Sequence, residues 1–153
     1  MADEKATGKS KTGAVVDPFR NYRFRLQVGD EQAAFTECTG VGLRIHPIRY
    51  AESGAGHVVR ALPGPVEYAE VTLRYGLTTA AGLWLWLTKT AAGQVERRNV
   101  SIVMLQVDGT LGLQWDLLNA WPCEWRGAPL DALGREAAIE EIHLAYDTLK
   151  RVP

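Results

Sequence analysis

Two side chains in this sequence have the chemistry of a nucleophile and a base, namely Cys123 and His143. Catalysis by such a pair also requires a group that orients the base and donors that stabilise an oxyanion, and the sequence shows no pattern for either. Trp121 lies two residues before Cys123. An alternative hypothesis is therefore a monomeric binding module or small enzyme with a pocket near Trp121, Cys123 and His143. Without the supporting groups, the pair predicts no catalytic residue, and we expect no enzyme activity.

Metal ligands show no recognised spacing. None of the histidines lies within four residues of another histidine or of a cysteine; they are His46, His57 and His143. The two cysteines, Cys38 and Cys123, cannot supply a four-ligand zinc site and are interpreted as small buried residues. The sequence therefore predicts no metal and no cofactor.

The length and charge of the chain exclude several functions. Its 153 residues suit one domain, and 17 basic against 18 acidic side chains give a net charge of -1, which disfavours a dedicated nucleic-acid binder. The longest apolar run, Leu83 to Leu87, is far shorter than the roughly 20 residues that span a bilayer, so we expect no membrane insertion. The first residues lack the apolar core of a signal peptide, which predicts a protein that stays in the cytoplasm.

The chain divides into a tail and a domain. Residues 1–16 are rich in Lys, Thr, Ser and Gly and predict a flexible N-terminal arm, and residues 17–153 form the domain. Tyr22 to Val28 alternates apolar and polar residues as a half-buried strand does, with Ala33 to Cys38 expected to return as its antiparallel partner. From Leu43 to Gly64, glycines and prolines interrupt short extended stretches, which predicts a long hairpin or arm.

The second half of the domain combines one helix with further strands. Thr79 to Ala92 predicts a helix, and Val100 to Val107, apolar on both faces, predicts a central strand. Asp108-Gly109 predicts a hairpin turn. The segment from Ala138 to Leu149 fits both a helical and a strand period, and periodicity alone favours the helix.

Five tryptophans are the most unusual feature of the composition, and large aromatic side chains stabilise both cores and subunit interfaces. Two of them lie in the stretch LWLWL at 83–87. The others follow in the stretch WDLLNAWPCEWRGAPLDALGREAAIEEIHLAYDTL at 115–149. Together with DPFRNYRFRLQV at 17–28, FTECTGVG at 35–42, LPGPVEYAEVTLRYGLT at 62–78 and RRNVSIVML at 97–105, these stretches resemble the phage tail tube family shared with contractile injection systems.

The resemblance implies a mainly β fold, an antiparallel β-sandwich or barrel of the tail-tube or Hcp-like kind, with one flanking α-helix. It implies that Ala138 to about Asp147 is a strand. It also implies hexameric rings that stack into a hollow inner tube, which sheath contraction drives through a target envelope. The expected core and family-motif residues are Phe19, Phe24, Trp84, Trp86, Trp115, Trp121, Pro122 and Trp125.

Two further sets of residues are expected to act in assembly. The Gly- and Pro-punctuated arm is suited to reach a neighbouring subunit or ring, through Arg49, Tyr50, Glu52, Arg60, Leu62, Pro63 and Gly64. The lumen of the tube is expected to be lined by polar residues of one alternating strand, either Arg23, Arg25 and Gln27 or Glu70, Thr72 and Arg74. The sequence does not decide between these two sets.

The resemblance also implies partners: further copies of the chain, a sheath protein, baseplate, spike and tube-capping proteins, and protein or DNA cargo in the lumen. The sequence departs from the family at Thr39-Gly40-Val41, where Ser-Gly-Leu is common, and at Ala61, where a lysine is common. These departures leave open a main tube subunit and a minor paralogue at the baseplate end of the tube.

Overall fold

The computed structural model describes residues 17–52, 54, 56, 58–79 and 81–153, but not the side chains of residues 31–33. The predicted N-terminal arm, residues 1–16, lies outside the described residues, as does His57. The described part of the chain is mainly β, as predicted, with antiparallel strands and one α-helix. In chain order the elements are β1 (Phe24–Val28), β2 (Glu31–Ala33), β3 (Glu37–Thr39), β4 (Leu43–Ala51), β5 (Val59–Tyr68), β6 (Val71–Gly76), α1 (Gly82–Ala91), β7 (Arg98–Leu105), β8 (Leu111–Arg126), β9 (Ile139–Ala145) and β10 (Thr148–Val152).

Eight strands form a sheet that folds over itself. Their order is β2-β1-β7-β8-β9-β6-β3, with β10 also paired to β8, whereas β4 and β5 pair only with each other. The long strand β8 belongs to two layers, because its first half pairs with β7 and β10 and its second half pairs with β9. We call the layer of β1, β2, β7, β10 and the first half of β8 the first layer. The second layer contains β3, β6, β9 and the second half of β8.

The core lies between these two layers. Apolar side chains alternate along each strand, so that Leu26 and Val28 in the first layer and Leu73 and Ile142 in the second all face inward and are buried. The α1 helix contributes Trp86 to the same apolar cluster. Among the described residues, no helix has the length and apolar character needed to cross a membrane.

Strand β8 changes layer at Asn119. This residue has φ 56, the only positive φ of a described residue other than glycine, and Asn tolerates that conformation better than most residues. Its backbone N–H donates to Asn99 Oδ1 at 3.2 Å, and its side-chain amide donates to Asp147 Oδ2 at 3.1 Å. Arg97 holds the same carboxylate at 3.3 Å. Local hydrogen bonds therefore fix the bend that joins the two layers.

We expect Asn119→Val to lower the free energy of unfolding by about 2–3 kcal/mol, because a β-branched side chain is strained at positive φ and the side-chain hydrogen bond to Asp147 is lost. Asn119→Gly keeps the backbone conformation and should cost about 1 kcal/mol or less. Urea unfolding of both variants measures the difference. Equal losses would contradict a role for the backbone conformation at this position.

The structure corrects two of the secondary-structure predictions made from the sequence. The return strand Ala33 to Cys38 is wrong in part, since Glu31–Ala33 pairs with β1 but Glu37–Thr39 pairs with β6 in the other layer. Phe35 accounts for the crossing, because its ring packs edge-on against Tyr75 at 5.9 Å. The helix that periodicity alone favoured for Ala138 to Leu149 is wrong, because β6 and β8 pair with this segment on its two sides. The strand implied by the resemblance is confirmed as β9, where Ile142 and Leu144 face inward at a period of two.

Candidate assembly surface

The hairpin of β4 and β5 extends away from both layers. Its strands pair from Leu43 opposite Tyr68 to Ala51 opposite Val59, with one register shift between, and neither strand pairs with the main sheet. The base is anchored to the core, since Tyr146 Oη donates to the Gly42 carbonyl at 3.3 Å and the rings of Tyr68 and Tyr146 lie 5.7 Å apart. Beyond that base, the hairpin has no layer to pack against.

Large apolar side chains of the hairpin are about half exposed. They are Leu43, Ile45, Ile48, Tyr50, Val59, Leu62 and Val66. Monomeric proteins seldom expose a contiguous apolar patch of this kind, and such patches mark surfaces that another molecule covers. The hairpin is therefore the leading candidate for a surface of subunit contact.

All of the residues predicted for the assembly interface lie on this hairpin. Tyr50 faces Arg60 and Arg49 faces Ala61 across the two strands. Glu52 links Tyr50 and Arg60 at the outer end of the hairpin. It accepts a hydrogen bond from Tyr50 Oη at 3.4 Å and pairs with Arg60 Nε at 3.5 Å. The charged residues thus form a short network on an otherwise apolar ribbon.

The remaining three predicted interface residues, Leu62, Pro63 and Gly64, shape the middle of the ribbon. Leu62 lies opposite Ile48, and Pro63 lies opposite Pro47, where neither residue has an N–H to donate. A Cβ on Gly64 would lie 2.3 Å from the His46 carbonyl oxygen, so the close approach of the two strands requires glycine there. The ribbon is irregular at this point, with a register shift between Ile45 and Pro47.

The residues predicted as core occupy three environments. Trp86 and Pro122 are fully buried, and Phe24 and Trp115 pack against the core at partial burial. Trp121 and Trp125 are partly buried on β8. Two residues are half exposed and lie at the edge of the core: Phe19, whose ring touches Gly112, and Trp84, whose ring contacts Trp125 edge-on at 5.0 Å.

An open groove of about 680 Å³ lies between the first layer and the segment around β3. Phe24, Met104 and Trp115 of the first layer contribute apolar lining, as do Cys38 and Val41, and Glu37 and Thr39 add polar groups. The groove is mainly apolar and lies beside β3, a terminal strand in the sheet order. It has the size and chemistry to accept apolar side chains from another chain.

The two sets proposed for the lumen lie on opposite outer surfaces of the sandwich. Arg25 and Gln27 point out of the first layer, and Arg23 precedes them with its guanidinium donating to the Val107 carbonyl at 2.8 Å. Thr72 and Arg74 point out of the second layer, where Glu70 stands just before β6. Because the core separates the two surfaces, only one of them can face a lumen.

The geometry around Cys123 and His143 does not form a nucleophile and base pair. The Cys123 thiol donates to the backbone carbonyl of His143 at 3.4 Å, not to its ring. Burial raises the pKa of Cys123, and the negative charge of Glu70 raises it further, which keeps the thiol protonated at neutral pH. Both effects oppose the activation that a nucleophilic cysteine requires.

The fold and this surface define a class of protein: a β-sandwich with one helix and an exposed, self-paired apolar ribbon, suited to contacts between chains. The family model described as T4-like virus tail tube protein gp19 matches residues 20–150. The chain therefore belongs to this tail tube family, whose members are structural proteins.

Two similar solved structures are chains of an extracellular contractile injection system, and a third shares the fold. A chain of an extracellular contractile injection system, the PVC sheath-tube complex in the extended state, is 29% identical with a TM-score of 0.81, covering 88% of this chain and 91% of that one. A chain of the PVC sheath/tube terminator in the extended state is 30% identical with a TM-score of 0.85, covering 92% and 100%. Hcp1 from Flavobacterium johnsoniae shares the fold, with 13% identity, a TM-score of 0.61 and coverage of 85% and 94%. No curated protein matches the chain.

Proposed function

We propose that this chain is a structural subunit of the inner tube of a contractile injection system or phage tail. The observation that carries the proposal is the exposed apolar hairpin, whose two strands pair only with each other among the described residues. Family membership and the likeness to chains of a sheath-tube complex support the same function. A tube subunit requires no active site, because the tube acts through its rigidity.

In this proposal the subunits form hexameric rings. The hairpin of one subunit lies against a neighbour, with apolar side chains such as Ile48 and Leu62 entering the groove beside Phe24, Met104 and Trp115. The terminal strands β2 and β3 offer unpaired edges that a neighbour completes, so the rings close without free edges. Repetition of these contacts along the axis stacks the rings into a hollow tube.

The partners follow from the tube. A sheath protein surrounds it, baseplate and spike proteins start it, a capping protein ends it, and protein or DNA cargo occupies its lumen. The likeness to chains of a sheath-tube complex and of a sheath/tube terminator supports the sheath as a partner. The chain is assembled in the cytoplasm and then forms part of the particle.

A second candidate within the same class is a minor subunit at one end of the tube. It is favoured by the likeness to the sheath/tube terminator, which the chain matches over the terminator chain's whole length. The two candidates differ in polymer length, since a main subunit stacks without limit and an end subunit stops at one or a few rings.

Negative-stain electron microscopy of the purified chain tests the proposal. We expect rings with sixfold averages, and stacked tubes at higher concentration if the chain is the main subunit. Rings that do not stack, but that cap tubes of the main subunit in a mixed sample, indicate the end subunit. A chain that stays monomeric, both alone and with sheath and baseplate proteins present, would contradict both candidates.

A further inference from the structure

Three side chains from separate strands converge on the outer surface of the second layer. His143 lies in the middle of β9, Glu124 is its partner residue on β8, and Glu70 precedes β6. His143 Nδ1 is 3.9 Å from Glu70 Oε2 and 3.8 Å from Glu124 Oε2, and all three ligand atoms lie within 4.8 Å of one another. The hydroxyl of Thr72, on the same surface, is 3.5 Å from the same ring nitrogen.

The imidazole of His143 lies between the cluster and Glu141. Its side chain is only 14% exposed, and its Nε2 atom is shielded from solvent with no hydrogen-bond partner among the described residues. Nε2 is 3.8 Å from Glu141 Oε2, which is too far for a hydrogen bond. In many metal sites a histidine binds the ion through one ring nitrogen and directs its other N–H to a carboxylate. His143 has Nδ1 toward the cluster, and a short movement of Glu141 would complete this arrangement at Nε2.

Arginines position two of the carboxylates and leave one oxygen of each free. Arg126 Nε binds Glu124 Oε1 at 2.8 Å, and the other oxygen, Oε2, faces His143. Arg74 Nε lies 3.3 Å from Glu141 Oε1 in an ion pair without a hydrogen bond, and again Oε2 faces the imidazole. This pattern resembles a coordination shell in which outer partners fix the orientation of the ligands.

The charge of this surface also matches a divalent cation. Among the described residues, the ion pairs here join two guanidiniums, Arg74 and Arg126, to three carboxylates, those of Glu37, Glu124 and Glu141. A fourth carboxylate, that of Glu70, pairs with His143. The carboxylates of this surface therefore outnumber its guanidiniums by two.

We propose that this cluster is a Zn²⁺ site with three protein ligands: His143 Nδ1 and one carboxylate oxygen each from Glu70 and Glu124. Zinc accepts nitrogen and carboxylate ligands at about 2.0–2.2 Å, so its ligand atoms lie about 3.3–3.5 Å apart. The present distances of 3.8 and 3.9 Å from His143 Nδ1, and the separation within 4.8 Å of the two carboxylate oxygens, must therefore contract when the ion binds. The exposed side chain of Glu70 is free to make that movement. Water or the Thr72 hydroxyl supplies the fourth ligand.

A bound ion would connect β6, β8 and β9 at one point on the outer surface of the second layer. The site does not depend on the proposed tube function, because its three ligands belong to one subunit. We therefore expect the isolated chain to bind zinc whether or not it assembles.

Equilibrium dialysis and calorimetry with Zn²⁺ at pH 7 test this proposal on the purified chain. We expect one ion per chain and a rise in melting temperature of about 5 °C or more at a hundredfold excess over Kd. His143→Gln should weaken binding more than about 100-fold, the upper range for loss of an outer partner alone, and Glu70→Gln more than about tenfold. Glu70 is exposed, so its variant should fold normally. Co²⁺ in place of zinc should give the visible spectrum of a tetrahedral site.

Two variants serve as matched controls. Glu37→Gln removes a carboxylate from the same surface, and His46→Gln removes the imidazole that pairs with Glu67 on the hairpin. Both should bind zinc within about twofold of the unchanged chain, because neither supplies a ligand. The proposal is overturned if the chain binds no zinc up to millimolar concentration, or if His143→Gln and Glu70→Gln bind as tightly as the controls.

Discussion

Replacing Ile48 and Leu62 together by glutamate is expected to abolish rings and tubes while the chain remains folded. The two side chains lie opposite each other on the hairpin and are 52% and 48% exposed, so the isolated subunit can place charge there at little cost. In an assembled ring they would be buried, and an unpaired buried charge costs several kcal/mol. Size-exclusion chromatography with light scattering should then report monomers, and electron microscopy should show no rings.

The control for this experiment keeps both positions apolar. Ile48→Val with Leu62→Met changes shape but adds no charge, and it should assemble at no more than about tenfold higher concentration. The melting temperature of the glutamate variant should stay within a few degrees of that of the unassembled subunit. If the glutamate variant still forms sixfold rings, then the hairpin is not the contact that closes them.

The sequence predicted the strands and the helix well where the pattern is simple. In a strand, this pattern is an apolar residue at every second position; in the helix, it is a short continuous run of apolar residues. The alternation in β1 and the turn at Asp108-Gly109 each have a simple physical signal. The layer change within β8 had none, because it depends on the positive φ of Asn119 and on the hydrogen bonds that Asn119 donates to Asn99 and Asp147, which are distant in sequence. The crossing from β2 to β3 depended in the same way on contact between Phe35 and Tyr75.

The candidate sites show the same division. The hairpin was predictable, since glycines and prolines between Leu43 and Gly64 mark a segment that builds no core of its own. The cluster of Glu70, Glu124 and His143 was not predictable from the sequence. Sequence motifs for metal sites detect ligands that are close together in the chain, and these three residues are far apart in it. Only the antiparallel register of β8 and β9, which pairs Glu124 with His143, brings these two ligands together.

Trp86→Ala should cause the largest loss of stability of any single substitution proposed for this chain, about 3–5 kcal/mol in the free energy of unfolding. The helix α1 has 10 residues and no side-chain cap at its N-terminus, so it depends on packing rather than on its own stability. Trp86 supplies that packing, since it is 0% exposed and its Nε1 donates to the Glu96 carbonyl at 2.7 Å. The Arg98 guanidinium also lies 5.1 Å from the ring centroid.

The matched control is Trp84→Ala on the same helix. Trp84 is 48% exposed and contacts the ring of Trp125, so its loss should cost only about 1 kcal/mol. Both substitutions should be measured by urea unfolding in the Ile48→Glu, Leu62→Glu background, because dissociation of rings would otherwise add to the unfolding free energy. Equal losses at the two positions would mean that the helix is held by its exposed face, through contacts of Trp84 with β8, and not by the core.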